Sequence, residues 1–210
     1  MDAQELLRRY AAGERNFTEL DLKYIDLSGA DLRDIDFTSA NLNGANLSGA
    51  DLRGANLNYT QLGADLSYAN LSEASLEEAD LGAAEDFEGS DFSGANLRNA
   101  EMFGAWLSGV NMRGANLSGA ALDEASLDDT ILIGADLSGA CLFQAGVQGA
   151  NLTDAKLIDA HLYATDFEGA NLTNADLTGA KSFEYTRLEG AILNNTTMPD
   201  GTITSNNQTK

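Results

Sequence analysis

A chain of 210 residues with 12 Lys and Arg against 33 Asp and Glu carries a formal net charge of −21, which repels nucleic-acid phosphates and argues against direct DNA or RNA binding. Its single cysteine excludes an internal disulfide framework, and no apolar run approaches the length that crosses a bilayer. With no linker-like stretch and no basic secretory signal in Met1 to Glu5, the expectation is one elongated soluble domain in the cytoplasm.

The first predicted element is a helix over residues 2–12. Asp2-Ala3-Gln4-Glu5 has the form of a capping box, Leu6, Leu7 and Tyr10 fall on one helical side, and Gly13 can end the last turn. Residues 1–16 therefore read as an N-terminal helical cap that plugs the first coil of the body of the chain.

Residues 17–203 obey one interval. From Leu22 to Leu177 a Leu or a substitute for it returns every fifth position, with a small residue two places before it. Taking Ala45-Asn46-Leu47-Ser48-Gly49 as template, there are 32 units, of which 25 carry Leu in the third slot and 23 carry Ala in the first. A period of five suits neither regular element, since it winds round a helix and alternates between the faces of a straight strand. The first and third slots point the same way on a short extended segment, and the fourth and fifth must then turn the chain. Gly fills the fifth slot in about half the units, as a turn position with positive φ predicts. Repeated strand and turn make a coil with slots one and three inside and slots two and four outside, and stacked coils pair as an all-β parallel solenoid. Each buried Leu contributes about 1.5–3 kcal/mol, so stability accumulates coil by coil and the open ends need covers.

The second slot adds a further regularity, with Asp or Asn in 21 of the 32 units, among them Asp31, Asn41, Asn46 and Asp51. With this pattern about three quarters of the chain resembles the pentapeptide-repeat family, whose motif is Ala-(Asp/Asn)-Leu-X-X. The resemblance implies a right-handed quadrilateral parallel β-helix with four repeats per coil. About eight coils result, a rod roughly 38 Å long before its ends at a strand spacing of about 4.8 Å. Residues twenty apart then stack in columns.

The beat slips near 62–66, where it is one residue short, near 81–87, where it is one long, and near 177–183, where it is long again. The first two cancel, so the units at Leu66, Leu71, Leu76 and Leu81 form about one displaced coil. An extra residue near Glu85 would bring Ala84 to the inner slot and spare the burial of a carboxylate. A tolerated bulge and a bend or recognition loop are the alternatives.

Between Arg53 and Arg98 stand nine acids and no base: Asp65, Glu73, Glu77, Glu78, Asp80, Glu85, Asp86, Glu88 and Asp91. Some members of the family resemble a DNA duplex and inhibit type II topoisomerases, which implies a DNA-mimicking inhibitor or protector of DNA gyrase as one function. The plainer reading is that second-slot Asp satisfies turn backbone.

Eleven units lack Asp or Asn in the second slot, and nine of these fall between Glu101 and His161. At the implied stacking, Glu101, Ala121, Cys141 and His161 share one column, accompanied on the same face by Phe103, Asp123, Phe143 and Tyr163. Trp106 occupies an outward slot of the neighbouring face. Exposed aromatic patches mark contacts, although stacked rings can also shield one another. The candidate protein-binding face is thus Glu101, Phe103, Trp106, Asp123, Cys141, Phe143, His161 and Tyr163, for a protein partner or for weak self-association of an otherwise monomeric rod. Catalysis finds little support, because one His, one Cys and convex ladders give no converging pocket. Cys141 and His161, one coil apart, suggest a dyad but lack an orienting group, and two ligands make no structural metal site. No cofactor or metal is expected.

Beyond Leu177, Phe183, Leu188, Leu193 and Met198 keep the spacing while Ala and Asx fade. Met198-Pro199-Asp200-Gly201 reads as a turn, and residues 204–210 as a flexible tail. The segments from Glu5 to Phe17 and from Met198 to Gly201 resemble the ends of cyanobacterial pentapeptide-repeat proteins, which include regulators of heterocyst differentiation that act by protein contact. Topoisomerase inhibitors of the family close with a dimerising element that Met198 onward does not resemble. The resemblance therefore implies a non-enzymatic interaction scaffold or regulator, with gyrase as the alternative target.

Overall fold

The computed structural model describes residues 1–82, 84 and 86–204. Helix α1 spans Ala3–Ala11, with the Asp2 carboxylate accepting the Glu5 N–H at 2.9 Å. Only this half of the capping box forms, because the Glu5 carboxylate turns forward to the Arg8 guanidinium. Leu6 is fully buried against the first coil, whereas Leu7 faces water, so the apolar side is narrower than the sequence suggests. Tyr10 Oη donates to the Arg33 carbonyl at 2.8 Å and fastens the helix across the end of the stack.

Past the helix, isolated parallel bridges join second-slot residues four units apart: Asp21 with Asn41, Asp26 with Asn46, Asp31 with Asp51, and Asp36 with Asn56. Each coil is therefore four-sided and twenty residues long. One column runs without a break from Asp21 through Asn41, Gln61, Asp80, Glu101, Ala121, Cys141 and His161 to Lys181. Its bonds are of two kinds. The third-slot N–H reaches the next coil, as from Leu22 to the Asn41 carbonyl at 2.8 Å, and the second-slot N–H reaches back, as from Asn41 to the Leu20 carbonyl at 2.8 Å. Among the described residues no longer strand develops along the sides, since each extended segment ends in a corner.

At the corners the fifth slot is left-handed whether or not it holds glycine, with φ of 58° at Glu19, 59° at Tyr24 and 65° at Gly29. The next N–H closes the turn onto the third-slot carbonyl, as from Ala30 to Leu27 at 3.1 Å. Second-slot Asp and Asn side chains accept the fourth-slot N–H, as Asp26 does from Ser28 at 3.1 Å and Asp65 from Ser67 at 2.9 Å. This local bond explains the preference for short Asx side chains in that slot.

The core is one long file of first- and third-slot side chains from Phe17 to Leu177. Where a hydroxyl replaces the inner Ala it finds a carbonyl: Thr60 Oγ1 donates to Leu57 at 2.7 Å, Thr130 to Leu107 at 2.9 Å and Thr165 to Leu142 at 2.7 Å. Among the described residues no buried side-chain polar atom lacks a partner.

The spacing between bridged residues changes along the rod. It contracts to nineteen from Asn46–Asp65 to Gln61–Asp80, widens to twenty-one from Asp65–Asp86 to Asp80–Glu101, and returns to twenty at Asp91–Asn111. The short corner is made by a tight turn in which the Ala64 N–H bonds the Leu62 carbonyl at 2.8 Å and Ala64 enters the core. At the long corner Ala84 lies half-buried against the core, while Glu85 lies outside the described residues. The third slip is taken up by a 3₁₀ turn over Phe183–Tyr185, entered through left-handed Ser182 at φ 57°. The last coil ends in an antiparallel pair, β1 (Thr196–Thr197) with β2 (Ile203–Thr204). Thr204, expected to open the tail, pairs instead with Thr196; residues 205–210 lie outside the described residues.

Candidate protein-binding face

Because Glu101, Ala121, Cys141 and His161 are bridged in register, the fourth-slot side chains of their units share one side of the rod. Phe143 and Tyr163 stack there with ring centroids 5.3 Å apart and planes 10° from parallel, a separation close to the distance between coils. A third ring extends the ladder: Tyr185 lies 4.9 Å from Tyr163, tilted by 44°. Sequence spacing missed Tyr185 because it belongs to the 3₁₀ turn; the extra residue between Leu177 and Phe183 was the available signal.

Phe103 does not join them. It is 58% exposed, and the Asp123 unit stands between it and Phe143. The expected strip is therefore two separate apolar places, the ladder Phe143–Tyr163–Tyr185 and the pair of neighbours Phe103 and Trp106 across a corner. Trp106, 83% exposed, borders a shallow cavity of about 460 Å³ with Asp86, Glu88, Ser108 and Ser126.

The polar members of the face are occupied with their neighbours. Cys141 Sγ donates to Asp123 Oδ1 at 2.9 Å, and burial, reinforced by that carboxylate, pushes the thiol above its usual range. His161 lies one rung further on, yet its Nε2 receives Lys181 Nζ at 3.2 Å rather than the thiol. The two side chains thus turn to different partners, and the thiol is held in its protonated, weakly nucleophilic form. Glu101 projects into solvent. Among the described residues no three His, Cys, Asp or Glu side chains gather as metal ligands, and no helix is long and apolar enough to cross a membrane.

Elsewhere the acidic surface is locally compensated. Arg33 holds the Asp31 carboxyl down to about 2, and Arg53 likewise lowers Asp51. Arg98 pairs with Glu77 on the preceding coil. Asp65, Asp86 and Asp91 each accept the fourth-slot N–H of their own turn, at 2.9, 2.8 and 2.9 Å.

Against this geometry, the family description Pentapeptide repeats matches eight copies over residues 30–63, 62–84, 86–114, 111–145 and 148–181. The chain is similar to the crystal structure of HetL, a pentapeptide repeat protein involved in heterocyst differentiation regulation from the cyanobacterium Nostoc sp. strain PCC 7120. Identity is 34% over 97% of this chain and 100% of that one, with a TM-score of 0.58. It is also similar in fold to QnrB1, a plasmid-mediated fluoroquinolone resistance protein, at 22% identity over 87% of this chain and 83% of that one, TM-score 0.54. No curated protein matches the sequence. These relatives imply a right-handed quadrilateral β-helix, in keeping with the four bridged columns. By its repeats and by its likeness to HetL along nearly its whole length, the chain belongs to the pentapeptide-repeat family.

Proposed function

We propose that the chain is a non-enzymatic interaction protein, a cytoplasmic regulator that works by protein contact through the side carrying Glu101, Phe103, Trp106, Asp123, Cys141, Phe143, His161 and Tyr163, extended to Tyr185. The observation that carries this reading is the ladder of three water-facing rings, Phe143 and Tyr163 in the stretch where the second slots abandon Asx and Tyr185 packed against Tyr163 from beyond it. Likeness to HetL over 97% of the chain supports a part in cyanobacterial differentiation signalling. The test is the triple variant Phe103→Ser, Phe143→Ser, Tyr163→Ser, compared with the parent in affinity capture from native lysate. Loss of captured protein with an unchanged far-UV circular dichroism spectrum supports the contact face; equal capture refutes it. Sedimentation of the parent alone shows whether the partner is a second copy.

The nine acids without a base between Arg53 and Arg98 favour a second reading, a DNA-mimicking ligand of gyrase. A supercoiling assay separates the two, because inhibition at micromolar protein would put the acidic surface ahead of the aromatic one.

A further inference from the structure

The cavity beside Trp106 joins an aromatic wall to two anions. Trp106 stands almost free of the rod, and Asp86 and Glu88, a coil earlier in the chain, border the same hollow with Ser108 and Ser126. The hollow has a cause in the column. Trp106 is bridged to Ser126 and Ser126 to Gly146, so the two rungs after the indole carry one small side chain and then none. Both carboxylates are anchored by one oxygen. Asp86 Oδ1 accepts the Glu88 N–H at 2.8 Å, and Glu88 Oε1 accepts Tyr68 Oη at 2.6 Å. Among the described residues neither acid forms an ion pair, and their second oxygens, Asp86 Oδ2 and Glu88 Oε2, take no hydrogen bond.

An exposed indole face next to two held carboxylates complements one side chain in particular. Guanidinium is planar, stacks on aromatic faces, and presents several N–H donors that two carboxylate oxygens and two serine hydroxyls can accept. An ammonium would use the charges and gain less from the indole, and a neutral group would leave the anions unanswered. We propose that this notch binds an arginine side chain from a basic segment of the partner protein. The proposal rests on the contact reading above, but its test needs no cellular partner.

Trp106 is the only tryptophan, so its fluorescence reports on the notch alone. The full chain is titrated with hexa-arginine, hexa-lysine and hexa-citrulline peptides at moderate salt. A saturable Trp106 response to hexa-arginine at about tenfold lower concentration than to hexa-lysine, with none to hexa-citrulline, is expected. The conservative pair Asp86→Asn, Glu88→Gln keeps the turn bond and side-chain size and should weaken the arginine response at least about tenfold. Equal responses to arginine and lysine peptides, or an unchanged response in the pair variant, would overturn the assignment. A Phe143→Ser, Tyr163→Ser protein keeps the notch, so lysate capture equal to the parent's, with the titration intact, would refute only the ladder. A flat titration of the parent, with capture lost in that ladder variant, would refute only the notch.

Discussion

Tyr163 is the middle rung of the aromatic ladder, and its replacement by Ser has a calculable cost. The ring meets Phe143 at 5.3 Å and Tyr185 at 4.9 Å, both within the range where aromatic pairs contribute about 0.5–1.5 kcal/mol beyond buried area. Tyr163 is 41% exposed, which favours the lower half of that range. Removing both pairs should therefore cost about 1–2 kcal/mol, while Phe143→Ser, which removes one, should cost about half. For a domain of this size that corresponds to a fall in Tm of about 2–8 °C for Tyr163→Ser. Urea unfolding followed by far-UV circular dichroism, run as a cycle with the Phe143→Ser, Tyr163→Ser double variant, isolates the stacking energy. Because Tyr185 ties the 3₁₀ turn to the body of the rod, hydrogen exchange at the Arg187 amide, bonded to the Thr165 carbonyl at 3.0 Å, should also accelerate. A Tyr163→Ser cost no larger than that of Phe143→Ser, or a coupling below about 0.3 kcal/mol, would refute the account of the ladder as mutually supporting rings.

Leu127→Ala, in the middle of the file of buried leucines, should cost about 2–5 kcal/mol in urea unfolding, and Leu188→Ala at the half-buried end clearly less; equal costs would contradict a core of uniform coils capped at its ends. Arg33 holds the Asp31 carboxyl at about 2 against an ordinary 3.8, so the folded chain binds fewer protons there than the unfolded one. That contribution is complete above the unfolded value and lost as pH falls through about 2; the stability gap between wild type and Asp31→Asn should close over this window, and a gap constant across it would count against the pair. Burial and the Asp123 carboxylate both disfavour the Cys141 thiolate, so alkylation by iodoacetamide at mildly alkaline pH should be slower than for a free cysteine and should quicken in Asp123→Asn; the reverse order would mean that the thiol does not face Asp123.

Which residues face inward was legible because every coil repeats the same local bargain. An extended triplet sets slots one and three together, and a left-handed fifth slot turns the corner, even at Glu19 and Tyr24 where no glycine stands. Four-sidedness was not readable from a period of five; it came with the family resemblance, and the bridges between residues twenty apart display it directly. The misses lie where a residue escapes the period. Leu7 sits at the edge of a short helix whose docking on the coil, not its own moment, decides which apolar side chain is covered. Tyr185 comes from an inserted 3₁₀ turn, and Thr204 finds a partner only because a turn at Met198 to Gly201 folds it back onto Thr196. Column arithmetic placed Phe103 with Phe143 and Tyr163, yet stacking needs adjacent rungs, and Asp123 takes the rung between.

The distribution of charge separates the two functional readings more sharply than its total. A duplex mimic needs rows of unscreened anions, whereas second-slot carboxylates in this rod point back to their own turn N–H groups. Vertically, amides interrupt the acids and bond to them or to each other: Asn111 Nδ2 reaches Asp91 at 2.8 Å, Asn174 reaches Asp154 at 2.8 Å, and Asn116 reaches Asn96 at 3.3 Å. Like charges one rung apart are destabilising, so an Asx slot filled now by Asp and now by Asn keeps the turn bond while diluting repulsion. Twelve of the 33 acids are second-slot Asp whose carboxylates serve their own turns in this way, so that share of the charge is explained by what a four-sided stack of turns requires of itself. The water-facing rings have no such explanation in the repeat: Phe143 and Tyr163 stand in fourth slots that serine or threonine serves elsewhere, Trp106 in a second slot that is mostly Asp or Asn, and Tyr185 in an inserted turn. A side chain the scaffold does not ask for, exposed where burial would stabilise it, is better accounted for by a surface that covers it.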